Sequence, residues 1–78
     1  MARRKHAELR KIILQALAAA QKTVNQVATE TGINWRTVDN HIVYLTGRGY
    51  LREVFVSSYV KIYEITDRGK TALAGGDL

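Results

Sequence analysis

The chain contains no cysteine and no proline, and only one tryptophan, one phenylalanine, one methionine and two histidines among its 78 residues. Without cysteine there can be no disulfides, thiolate metal sites or cysteine nucleophiles, and the absence fits an intracellular, cytoplasmic protein. Long apolar runs are also missing. The longest, Ile12–Ala20, spans nine residues and is broken by Gln15, whereas a membrane-spanning helix needs about 20. The basic N-terminus is not followed by the core and cleavage site of a signal peptide. Glycines lack the spacing of a phosphate cradle. Ser57 and Ser58 have no base near them in the sequence, and a turn explains them better. Asp39 and His41, two residues apart, point to different faces of a helix. No enzyme, metal site or cofactor is expected, and no chemistry for a small-molecule pocket is visible.

What the chain does have is a one-sided charge. The net charge is +5. Residues 1–22 hold Arg3, Arg4, Lys5, Arg10, Lys11 and Lys22 against Glu8 alone, while residues 23–78 carry six bases and six acids. A polyanionic partner is the natural reading, and nucleic acid is the commonest one. At 46% apolar residues the chain is globular and not disordered. Its length makes a single domain, residues 1–78, with a basic arm at 1–6 and a flexible tail at 75–78. A chain this short buries only roughly 60–65% of its unfolded surface, which leaves little room for an enclosed catalytic cavity.

Hydrophobic spacing predicts a helix over 4–21. Leu9, Ile12, Ile13, Ala16, Leu17 and Ala20 form its apolar stripe, with Arg10, Lys11, Gln15 and Gln21 on the polar face and Leu14 off the stripe. Thr23-Val24-Asn25-Gln26 is a capping box that opens a short helix over 23–31, with Val27, Ala28 and Thr31 inward. Gly32 ends it as a left-handed cap. Asn34 caps a third helix, 35–47, whose Val38, Ile42 and Leu45 face the core, and Gly49 ends it. The period then changes. Leu51–Val56 and Val60–Ile65 flank Ser57-Ser58 and read as a β-hairpin. Thr66 caps a last short helix, 67–74, before a fraying Gly75-Gly76.

Three patterns fall in one frame: Ala28-x-x-x-Gly32-Ile33, the capped start Asn34-Trp35-Arg36-Thr37-Val38, and Leu45-x-x-x-Gly49-Tyr50-Leu51 followed by Tyr63-Glu64-Ile65-Thr66-Asp67-Arg68-Gly69-Lys70. In order and spacing they resemble the winged helix-turn-helix DNA-binding proteins, namely the ArsR- and MarR-like regulators and the small archaeal winged-helix regulators. The stretch VATETGINWRTVDNHIVYLTGRGYL follows that family's two-helix core, and YEITDRGKTAL its strand-to-helix ending. The resemblance covers roughly residues 7–74. It implies an α+β fold: a three-helix core, a hairpin wing and a short C-terminal helix. It further implies that helix 35–47 enters the major groove and that the hairpin lies along the phosphates or minor groove of double-stranded DNA.

The outward positions at the start of that helix are Trp35, Arg36, Asp39 and Asn40. Arg36 suits guanine, Asn40 adenine, and Asp39 a cytosine amine, while Thr37 suits a phosphate. Arg3, Arg4 and Lys5, with Lys11 nearby and Lys61 on the wing, complete the expected interface. Trp35 either packs on deoxyribose or a thymine methyl, or folds back over the second helix. Val43 and Tyr44 stand where the family usually carries Lys, Arg or Glu. They either pack against the hairpin or first helix, or belong to a dimer or partner surface together with Leu14. His41 reads as a half-buried spacer. The wing is poor in bases, and Phe55, Val56 and Tyr59 crowd its tip. Cross-strand packing is the preferred explanation, with protein contact or wedging into a minor groove as the other. The expected function is a sequence-specific, homodimeric transcriptional regulator, cytoplasmic and nucleoid-associated when bound to DNA. A sequence-neutral architectural DNA binder and a winged-helix protein-interaction module are the competing classes.

Overall fold

The computed structural model describes residues 6–76 and 78. Seven elements follow one another: α1 (His6–Ala19), β1 (Lys22–Thr23), α2 (Val24–Thr31), α3 (Trp35–Gly47), β2 (Leu51–Val56), β3 (Lys61–Ile65) and α4 (Asp67–Gly75). The three strands form one antiparallel sheet in the order β1-β3-β2. This is the expected winged helix-turn-helix, with β2 and β3 as the wing. No helix among the described residues is long and apolar enough to cross a membrane.

Local chemistry sets most of the boundaries. The Thr23 hydroxyl accepts from the Gln26 amide at 3.1 Å, and the Gln26 side chain accepts from the Thr23 amide at 2.8 Å, which closes the capping box that starts α2. Gly32 ends α2 at φ 72°, its N–H bonded to the Ala28 carbonyl. The end of α3 is a Schellman motif. Gly49, at φ 81°, donates to Thr46, and Tyr50 donates to Leu45. The Thr66 hydroxyl accepts from Gly69 and opens α4. That helix runs on through Gly75 and closes with Gly76 in the left-handed region, one residue beyond its expected end.

The core gathers Ile13, Leu14, Leu17, Val27, Val38, Ile42, Leu45, Tyr50, Leu51, Tyr63 and Ala72. Four expectations are corrected here. Leu14 is fully buried, so it is no part of a dimer surface. The reason is that α1 packs against α2, α3, α4 and β3 together, and its buried face is wider than one stripe. Ala20 lies past the end of α1 and is exposed, and Arg10 is half-buried and not on a solvated face. The fourth correction is β1, a two-residue strand that pairs Lys22 with Tyr63 and Thr23 with Ile62 and adds a third strand to the expected hairpin. Lys22, counted in the sequence as part of the basic segment, works inside the fold. Its Nζ donates to the Ala16 carbonyl at 2.7 Å and pairs with Glu30 at 2.7 Å.

The wing turns without glycine. Ser57 Oγ accepts from the amides of Tyr59 and Val60, and the Ser57 amide donates to the Val60 carbonyl at 2.8 Å. At the wing's base, Glu64 pairs with Arg52 and accepts from Gln21 at 2.9 Å. Those two hydrogen bonds, Gln21's first, hold the Glu64 carboxyl below the usual carboxylate range. Between Glu53 and Phe55 the register slips by one residue, so Val54 has no partner across the strand.

Candidate nucleic-acid interface

Helix α3 is held in place by its buried stripe of Val38, Ile42 and Leu45 and by its cap, in which Asn34 Oδ1 accepts from the Arg36 amide at 2.9 Å. The left-handed Gly32 and the half-buried Ile33 set the turn that aims it. Its first turns are therefore rigidly based, while Trp35, Arg36 and Asn40 are exposed and Thr37 and Asp39 are half-buried.

These five residues do not form one patch. Trp35 and Asp39, one helical turn apart, face the wing. With Thr23, Val24, Asn25, Lys61 and the turn residues Ser57–Val60, they line an open cleft of about 380 Å³. Thr37 and Asn40 face the other way, toward α1. Arg36 lies between, its guanidinium 5.8 Å from the Trp35 ring. Trp35 remains 55% exposed. Lys11 is exposed on α1 and Lys61 on β3. Arg3, Arg4 and Lys5 lie outside the described residues.

Two expectations about apolar residues resolve differently. Tyr44 packs against the first helix, because the Arg10 guanidinium stacks 4.0 Å above its ring. Val43 is 64% exposed. At the wing tip, cross-strand packing does not cover the side chains: Phe55 is 53%, Val56 54% and Tyr59 96% exposed. Strand pairing satisfies the backbone there but leaves these apolar groups in solvent.

Sequence reasoning missed one cluster. His6, Arg10 and Tyr44 meet Thr37, Asn40 and His41 where α1 crosses α3. His41 is 8% exposed, more buried than the expected spacer, and its ring meets His6 edge-on at 5.3 Å. Burial, then the charge of Arg10, then that of His6 lower the His41 pKa from its ordinary value. The i, i+4 spacing of His6 and Arg10 was a signal that these two share a helix face. No group of three or more metal-ligating side chains occurs among the described residues.

No family model and no curated protein matches the sequence at a significant level. Solved structures do match it. The transcriptional regulator BldR from Sulfolobus solfataricus is 21% identical with a TM-score of 0.79, over 88% of this chain and 51% of that one. The adhesin competence repressor AdcR from Streptococcus pyogenes is 19% identical at 0.78, over 94% and 55%. A double mutant of Lactococcus lactis ZitR is 14% identical at 0.76, over 97% and 52%. The chain spans about half the length of each of these structures. Its fold is the winged helix that they contain.

Proposed function

We propose that this protein is a double-stranded DNA-binding transcriptional regulator that acts as a homodimer. The observation that carries the reading is the rigidly capped α3, with exposed Arg36 and Asn40 on a fold shared with two proteins described as a transcriptional regulator and a competence repressor. In this reading α3 enters the major groove. Arg36 and Asn40 read base edges, Thr37 holds a phosphate, and Asp39 narrows sequence choice. Lys11, Lys61 and the arm with Arg3, Arg4 and Lys5 neutralise backbone charge. Catalysis has no part in it, and its place is the cytoplasm and nucleoid.

The single tryptophan supplies the test. Duplex DNA is titrated into the protein at low and then moderate salt, and Trp35 emission is followed beside the anisotropy of labelled DNA. Salt-sensitive binding that perturbs Trp35 is expected. Equal affinity for unrelated duplexes, with Trp35 unmoved, would replace the regulator with an architectural binder. No binding even at low salt would overturn the DNA reading. The second class would then lead, because the exposed Phe55, Val56 and Tyr59 form an apolar tip suited to protein contact.

A further inference from the structure

A recess of about 370 Å³ lies where α1 crosses α3, lined by His6, Arg10, Thr37, Asn40, His41 and Tyr44. Its basic groups converge without an acid. The His6 and His41 ring centres are 5.3 Å apart. Arg10 is pinned over Tyr44, and its Nε is buried with no hydrogen-bond partner among the described residues. The ion pairs seen among those residues, Lys22–Glu30 and Arg52–Glu64, leave all three basic groups out. One permanent cation and two imidazoles repel one another when all are charged. An anionic oxygen group among them turns that repulsion into attraction, and the Thr37 hydroxyl and Asn40 amide add neutral donors.

We infer that this recess is a phosphate site whose two imidazoles hold the anion best in their protonated form. The site recognises a phosphate group, whether on a DNA backbone or free in solution. In the first case the inference rests on the DNA reading above and extends it, because Thr37 and Asn40 border both the recess and the exposed face of α3.

The surroundings of His41 fix the sign. From α1 it faces His6 and Arg10, and its own helix adds Tyr44. On α2, Glu30 is taken by Lys22; on β2, Arg52 is taken by Glu64 and Glu53 accepts from Tyr63. Among the described residues no carboxylate is seen to offset the cations, and burial with the charges of Arg10 and His6 lowers the His41 pKa, which keeps its ring neutral near pH 7 in the protein alone. A bound phosphate favours the protonated ring, so affinity rises as pH falls. The chain has only two histidines and both line this recess, so any histidine-dependent change of binding with pH reports on it directly.

The test uses the full chain and two probes, at about pH 8 and about pH 6. One is a labelled duplex followed by anisotropy. The other is inorganic sulfate, a phosphate mimic of fixed charge, compared with chloride at matched ionic strength by thermal unfolding. Wild type is expected to bind the duplex between about threefold and about tenfold more tightly at the lower pH. Sulfate should offset the stability lost at that pH in chloride. His6→Gln, at an exposed position, should fold and lose most of both effects, and the double variant that adds His41→Gln should lose the rest. Duplex binding whose pH dependence is unchanged in His6→Gln and in the double variant overturns the site and leaves the DNA reading standing. Histidine-dependent stabilisation by sulfate without duplex binding keeps the site, makes free phosphate its source, and removes the DNA reading. If neither probe responds to pH through these histidines, the site is overturned whatever the duplex does.

Discussion

Gly69 lies against the carbonyl oxygen of Tyr50 so closely that a Cβ there would collide with it and with Ile65. The same carbonyl accepts from the Thr66 amide at 3.0 Å, and the Thr66 hydroxyl donates to the Gly49 carbonyl at 2.6 Å. The exit of α3, the base of the wing and the start of α4 are thus joined at one point. Gly69→Ala forces backbone apart at that junction. It is expected to cost about 2 kcal/mol or more and to lower the thermal midpoint by about 10 °C. Circular dichroism melts check this, and an unchanged midpoint would mean that α4 is not held against the wing's base.

Features written in neighbouring residues were legible before the fold was known. The Thr23–Gln26 box, the Asn34 cap and the left-handed Gly32 and Gly49 each depend on hydrogen bonds spanning a few residues. The outward set Trp35, Arg36, Asp39 and Asn40 was read from the buried stripe of the same helix, and all but the half-buried Asp39 are exposed. What failed to show depended on distant partners. Strand β1 exists only because β3, forty residues later, offers it an edge. The burial of Leu14 requires elements on several sides of α1. The approach of His6 to His41 requires two helices to cross at a particular height, and no local pattern encodes a crossing point.

Leu14 and Val43 look alike in the sequence as spare apolar residues, but the fold separates them. Leu14→Ala opens a cavity in the core and is expected to cost about 2–5 kcal/mol, enough to unfold much of a domain this size. Val43→Glu, at a position 64% exposed, should change stability by no more than about 0.5 kcal/mol. Thermal melts of the two variants check the contrast. Sedimentation of Val43→Glu adds a second readout: a shift from dimer to monomer places Val43 in the proposed dimer contact, and an unchanged dimer excludes it.

The proposed DNA contacts separate by salt dependence and sequence dependence. With about −0.9 in slope per phosphate neutralised, a dimer is expected to show a slope of about −4 to −6 in log affinity against log salt. Lys61→Gln should weaken binding to all duplexes alike and make that slope shallower. Arg36→Ala and Asn40→Ala should each cost about 1–3 kcal/mol on the preferred sequence, and much less on unrelated DNA. Anisotropy titrations at several salt concentrations measure both. A slope near zero would sink the phosphate assignment.

Tyr63 is buried at the base of the wing, and its hydroxyl donates to Glu53 at 3.2 Å. Burial, then the Glu53 charge and hydrogen bond, then Asp39 push its pKa up to about 12. The unfolded chain releases that proton near 10 and the folded protein holds it longer. Stability from this group is therefore complete below pH 10 and is lost as pH rises from about 10 toward about 12. Thermal midpoints across this range should fall more steeply in wild type than in Tyr63→Phe. Equal alkaline profiles would show that the Tyr63 proton is not held by the fold.

One variant tells whether the wing tip touches DNA. Tyr59 is 96% exposed and Phe55 53%, so the pair contributes little to the core. Replacing both with serine is expected to leave the thermal midpoint within a few degrees of wild type, because surface substitutions away from packed features cost about 0.5 kcal/mol or less. The turn should persist, since Ser57 Oγ and the Ser57–Val60 backbone bond hold it without either ring. If the tip wedges into a minor groove, the double variant loses duplex affinity and bends DNA less, because inserted apolar groups are what unstack and kink the base steps. If the tip instead docks on a protein, duplex affinity, salt slope and Trp35 response all stay at wild-type values. Comparing bound-complex mobility and anisotropy for the two proteins decides between these outcomes, and a loss of affinity and bending places the exposed rings on DNA.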